Sequence, residues 1–277
     1  PALKAGALAP LVRMLRTGTA DSQVHAANTI VNLASGFSVQ PGYEETAIAG
    51  NSSAQDALLA AGAVPLLLSM LAGGKTQMAS ASALARLAAF HPPLQEAISE
   101  QGGIPQLLML LHDHANAVNA AAALTELARL HPHNQTAIER AGGIGPLLAM
   151  LARAGAGAGK AQATGAAAIA QLARGHRENQ DAIARMNGLH ALVLALPSAT
   201  EPLVQSMAAL ALAETCRHNA DIQSAVADFG AISTLVTIFR GAGEGVRAEA
   251  AGAIWALAEG HPTNKASIAS AGGIPPI

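Results

Sequence analysis

The feature that most constrains this chain is a phrase that returns along it at nearly fixed intervals. Ala61-Gly62-Ala63-Val64-Pro65-Leu66-Leu67 recurs as Gln101-Gly102-Gly103-Ile104-Pro105-Gln106-Leu107 and as Ala141-Gly142-Gly143-Ile144-Gly145-Pro146-Leu147. Later copies are Phe229-Gly230-Ala231-Ile232 and Ala271-Gly272-Gly273-Ile274-Pro275, with a degenerate one at Met186-Asn187-Gly188-Leu189 and an early one at Ala5-Gly6-Ala7-Leu8. From Gly62 through Gly102, Gly142, Asn187, Gly230 and Gly272 the steps are 40, 40, 45, 43 and 42 residues. The first step, from Gly6, is 56 and so carries about 14 extra residues. A period near 42 excludes the helical repeats of about 33 and 34 residues.

A second marker keeps phase with the first. Ala-rich amphipathic segments centre on Ile30, Leu84, Leu124, Ile169, Leu212 and Ile254, and the last five stand 18 residues before the next anchor. One repeat can be built from these parts. Asn134, Asn179 and Asn264 stand where a short first helix would begin, and Asn is a favoured N-cap. The anchor glycine permits a left-handed corner, so Gly62, Gly102, Gly142, Gly230 and Gly272 are expected as structural turns. Proline just beyond suits the first turn of a second helix, whose apolar face in one copy is Leu107, Leu108, Leu110 and Leu111. The Ala/Leu segment supplies a third helix. No unit buries its apolar faces alone, and stacking makes a continuous core. Third helices are expected near 20–35, 76–90, 115–130, 160–174, 203–217 and 246–260.

Composition narrows function by exclusion. Apolar residues are 51% of the chain and aromatics 2%, a mix rich in strong helix formers. Charged residues are 12%, against about 25% in ordinary soluble domains. Lys plus Arg (16) nearly balances Asp plus Glu (18), without a basic run, so the electrostatic footprint of a nucleic-acid binder is missing. Cys216 has no internal disulfide partner, which fits a reducing compartment. No signal peptide is visible, and the longest uncharged stretch, Ala57 to Gly74, is broken by Gly62 and Pro65.

Ala-Gly-Gly-Ile-Pro-Pro at 271–276, its copies, and Asn32-Leu33-Ala34-Ser35-Gly36 closely resemble the consensus of armadillo repeats over nearly the whole chain. The resemblance implies an all-α, right-handed superhelical solenoid of three-helix repeats with third helices lining a concave groove. It places repeats at about 1–35, 53–91, 92–131, 132–176, 177–218, 219–261 and a partial 262–277, with an insertion near 37–52. The array is expected to be an excerpt of a longer one. With layers ~8–10 Å apart, six third helices would line roughly 50–60 Å of groove.

If the third helices line that groove, the residue two after each centre faces it: Asn32, Arg86, Glu126, Gln171, Glu214 and Ala256. The column two before reads Asn28, Ser82, Ala122, Ala167, Leu210 and Gly252. From these, Asn28, Asn32, Arg86, Glu126, Gln171 and Glu214 are the partner-binding candidates; the competing reading is solvated helix surface. Import receptors similar to this family hold basic peptides with Trp and Asn at these columns. Here the Trp column is empty and Asn persists only in the first repeat, which argues against import cargo.

His91, His131, His176 and His261 each follow a centre by seven residues. Stacked layers hold them roughly 10 Å apart, too far for one metal, so they are expected to end helices by bonding the last carbonyls. His112-Asp113-His114 falls in a link, where a solvated loop outweighs a ligand cluster, and Cys216 takes a small buried position in a third helix. Ala154 to Gly159 is a lengthened flexible link, and Tyr43 marks the insertion as a site of individual function or of tolerated extra chain.

No catalytic constellation, cofactor motif or metal site emerges, so a non-enzymatic scaffold or adaptor is expected. It would hold an extended or helical segment of a partner protein, without nucleic acid, membrane insertion or small-molecule substrate, inside the cell: cytoplasmic, nuclear, cytoskeletal or ciliary. The alternatives are an architectural spacer in a large cytoskeletal or ciliary assembly, and the substrate-recruiting arm of a larger enzyme.

Overall fold

The structure, a computed structural model, describes residues 6–35, 51–155, 157–197 and 201–273. Most of the expected insertion, Tyr43 included, lies outside the described residues. Contacts divide the chain into two compact units, Pro1–Ala141 and Gly142–Ile277.

The first unit holds α1 (Leu8–Thr17), α2 (Ala20–Ala34), α3 (Ser52–Ala60), α4 (Ala63–Met70), a 3-10 turn at Gly74–Thr76, α5 (Gln77–Ala88), α6 (Pro92–Glu100), α7 (Gly103–Leu110), α8 (Ala117–Ala128) and α9 (Pro132–Arg140). The second holds α10 (Ile144–Leu151), α11 (Ala158–Ala173), α12 (Arg177–Arg185), α13 (Gly188–Ala195), α14 (Pro202–Cys216), α15 (Ala220–Asp228), α16 (Ala231–Gly241), α17 (Glu244–Ala258) and α18 (Pro262–Ser270). All regular secondary structure among the described residues is helical, as the periodicity predicts. None of these helices is long and apolar enough by itself to cross a membrane.

Within each unit the third helices stack side by side: α2 on α5 on α8, and α11 on α14 on α17. Alanine makes this stacking close. Ala83, Leu84, Leu87, Ala120, Ala121 and Ala123 are essentially without solvent exposure, as are Ala166, Ala208, Ala209 and Leu212 in the second unit. Burying one such leucine contributes roughly 1.5–3 kcal/mol, and the alanines let the backbones approach at little entropic cost.

Two kinds of left-handed corner recur among the described residues. The first joins first to second helix and carries φ of 71° at Gly62, 79° at Gly102, Gly142 and Gly230 and 59° at Asn187; Gly272, after the last described helix, has φ 78°. A Cβ at Gly142 would meet nothing within 4 Å, so glycine stands there for its backbone conformation and not for space. At Gly103 the reason is space, because a Cβ would lie 2.6 Å from Ile98 Cγ2 and 2.7 Å from its carbonyl oxygen. The second corner, between third helix and following first helix, is not signalled by glycine alone. Phe90 (φ 54°), Leu130 (50°) and His218 (56°) occupy it alongside Gly175 and Gly260.

That second corner corrects two expectations. The recurring histidines do not bond the carbonyls of the helix they follow; they cap the helix they precede. Nδ1 of His91, His131, His176 and His261 accepts the backbone N–H of Leu94, Asn134, Asn179 and Asn264 at 3.2–3.3 Å. The N-cap is thus three residues earlier than Asn134, Asn179 and Asn264, which lie buried inside the first turn. Their amides have a different task. Asn134, Asn179 and Asn264 Nδ2 each donate at 2.9 Å to a third-helix carbonyl, of Leu127, Leu172 and Leu257. Where His is replaced at the cap, Asn51 and Asn219 accept from Ala54 and Ile222.

A glutamine one residue after five of these capped positions, all but Asn264, closes the layer. Gln95 Nε2 donates to the carbonyls of Glu126 (2.6 Å) and Arg129 (3.1 Å), and Gln55 reaches Leu87 and Ala89 at 2.9 Å. Gln180 binds the carbonyls of Glu214 and Arg217, and Gln223 those of Ala256 and Glu259. Helix C-termini leave orphan carbonyls, and these buried amides satisfy them one layer at a time.

Candidate functional site

The candidate residues sit on the third helices, and the two units treat them differently. In the first unit, Asn28 and Asn32 lie one turn apart on α2 and both are exposed. Ser82 and Arg86 hold the matching positions on α5, which packs against α2, and both are half-buried. Glu126 on α8 is half-buried and committed: Arg129 grips it through two parallel bonds, Nε to Oε2 at 2.8 Å and Nη2 to Oε1 at 2.9 Å. The same guanidinium lies 4.7 Å over the Phe90 ring. Asn28, Asn32, Ser82 and Arg86 show no comparable intramolecular side-chain bond, so their donors and acceptors are open to a ligand.

In the second unit the columns turn inward. Gln171 is 5% exposed and Glu214 6%. Glu214 takes Arg174 Nη2 at 3.0 Å and Arg217 Nε at 3.5 Å, and Arg217 stacks 5.0 Å over Trp255, which is half exposed. Glu249 belongs to the same group. Burial raises its carboxyl pKa above the usual carboxylate value, Glu214 pushes the same way, and Arg174 opposes both. His218 pairs with Glu259 at 3.3 Å. The result is a self-compensated ionic cluster beside an aromatic, with Met207 and Leu210 half-buried on α14.

The columns of spacing bring Asn28, Asn32, Ser82 and Arg86 onto adjacent helices of one unit. They miss the arginines five residues after three of the six centres, Arg129, Arg174 and Arg217, which consume the glutamates. Their common offset is the signal that would have found them.

No arrangement for catalysis or metal binding appears among the described residues. Ser224 Oγ lies 2.9 Å from His261 Nε2, a contact of the kind that primes a nucleophile. His261 Nδ1, however, already accepts the Asn264 N–H, so Nε2 carries the proton and donates it; the imidazole has no free base to offer serine. Asp113, between His112 and His114, spends its oxygens on Ala115 N–H (2.9 Å) and Asn116 Nδ2 (2.6 Å), and no group of three His, Cys, Asp or Glu could hold a metal among the described residues. Burial pushes the Cys216 thiol up to about 12, which keeps it an unreactive thiol at neutral pH.

No protein-family model and no curated protein matches the sequence. Solved structures do. Two engineered proteins are 28% and 27% identical, with TM-score 0.79, covering 91% of this chain and 96% and 98% of their own. A designed armadillo repeat protein is 24% identical at TM-score 0.76, and another, in complex with peptide (KR)4, is 23% identical at 0.75; each covers 90% of this chain and 99% of itself.

Proposed function

We propose that this chain, whose fold is that of the armadillo repeat, is a non-catalytic binding scaffold that holds an extended segment of a partner protein against its third helices. One observation carries the reading. Asn28, Asn32, Ser82 and Arg86 form a patch of polar side chains on neighbouring third helices, and these side chains are not committed to bonds among the described residues. Paired donor and acceptor amides suit an extended backbone, which offers one N–H and one C=O per residue. The designed relative that carries (KR)4 supports a peptide as the kind of ligand this fold accommodates. Large aromatic anchors are few, so affinity comes from many shallow contacts.

A second reading, an architectural spacer or the recruiting arm of a larger assembly, has its own observation. Met109 on α7 is 74% exposed and Leu194 on α13 is 64% exposed, both on second helices and not on the proposed binding face. Selection of displayed eight- to twelve-residue peptides against the immobilised protein separates the two. On the scaffold reading, selected peptides lose binding to the double variant Asn28→Ala/Asn32→Ala and keep it with Met109→Ser. Loss with Met109→Ser alone would favour the spacer.

A further inference from the structure

The charge on the first unit's third-helix face is unevenly placed. Its central helix, α5, contributes Arg86, and the 3-10 turn leading into it contributes the exposed Lys75; α5 carries no acid. On the neighbouring α8 the acid Glu126 is neutralised by Arg129. On the other neighbour, α2, Asp21 and His25 share the stripe that continues to Asn28 and Asn32, with Asp21 in the helix's first turn. The face thus leaves Arg86, near the C-terminal end of α5, without an ion pair among the described residues, while Lys75 stands at the opposite end of α5, where α2 packs on its turn and Asp21 lies at the same level. Arg86 is half-buried, which sharpens a contact made there relative to one in open water.

From this we infer that the face takes an acidic peptide: an extended segment whose backbone meets the Asn28 and Asn32 amides and whose Asp or Glu side chain meets the Arg86 guanidinium. The inference rests on the scaffold reading above and specifies its ligand. Packed helices stand ~8–10 Å apart and an extended chain advances ~3.3–3.6 Å per residue, so the carboxylate belongs about three residues from the segment that the asparagines hold. A planar guanidinium donates two parallel bonds to a carboxylate, and amide and hydroxyl neighbours leave that pairing uncontested. In the second unit the arginines that follow the centres of α11 and α14, Arg174 and Arg217, are already spent on Glu214.

Fluorescence anisotropy with three labelled octapeptides, (Glu-Ser)4, (Gln-Ser)4 and (Lys-Ser)4, tests this on the whole chain. The acidic peptide should bind about three- to five-fold more tightly than the neutral one, with the basic peptide weakest and the differences shrinking as salt is added. Arg86→Gln should erase the acidic preference while leaving binding of (Gln-Ser)4 unchanged, and Asn28→Ala/Asn32→Ala should weaken all three. If (Lys-Ser)4 binds the wild type as well as (Glu-Ser)4, or the acidic preference survives Arg86→Gln, the charge assignment is overturned while the scaffold reading stands. If none of the three binds, both fall.

Discussion

A single imidazole shows how a repeated residue can be recognised and its role still misplaced. His131 follows a third helix and precedes a first helix, and spacing alone does not say which one it serves. The structure assigns it to the latter through Nδ1 and the Asn134 N–H at 3.3 Å. His131→Ala should therefore cost about 1 kcal/mol of stability, as loss of an N-cap does, whereas His131→Asn should keep most of it, since Asn219 already caps its own helix. Equal losses for both variants in urea unfolding would contradict the assignment. At Gly142 the φ of 79° and the open space for a Cβ isolate the backbone term. Gly142→Ala should cost about 1 kcal/mol and Gly142→Asn less, because Asn187 adopts the same left-handed turn. Glu249 gives a pH test. Its folded carboxyl holds a proton more tightly than an unfolded one, so its contribution to stability is full at acid pH and is lost as pH rises through the raised value. Glu249→Gln should thus melt higher than the wild type at pH 7, and the two should converge below about pH 4. A variant less stable at pH 7 would mean that its attraction to Arg174 outweighs burial.

Among elements, the third helices were the most legible in sequence. Ala/Leu spacing placed Gln77–Ala88 and Ala158–Ala173 within two or three residues, because burial against neighbours on both sides enforces the apolar pattern. The corners entering the first helices were less so. Their left-handed residue is Phe90, Leu130 or His218 as readily as Gly175 or Gly260, so no composition marks it. The glutamines were legible and passed over: Gln55, Gln95, Gln135, Gln180 and Gln223 each stand seven residues before a corner residue. A polar side chain in a helix suggests solvent until the carbonyls of another helix are placed opposite it. Gln95→Ala should leave the Glu126 and Arg129 carbonyls short of a donor in a buried setting and cost about 1–3 kcal/mol. A loss below a few tenths in denaturant unfolding would remove the glutamine ladder from the account.

For the molecule as a whole, the repeat fixed the fold class, since a period near 42 with two markers in register admits little besides stacked three-helix layers. It did not separate the open candidates from the closed ones. Arg86 and Gln171 hold the same column, yet one keeps its guanidinium available and the other is buried, because what surrounds a column position depends on residues in adjacent layers. Function was legible only as far as a surface that could bind. Its central claim is that partners lie on the third helices, and site-specific photo-cross-linking tests that most directly. With a benzophenone amino acid placed in turn at Ser82 on α5 and at Met109 on α7, partner peptide should be captured at position 82 and not at 109. Capture at 109 with none at 82 would contradict it.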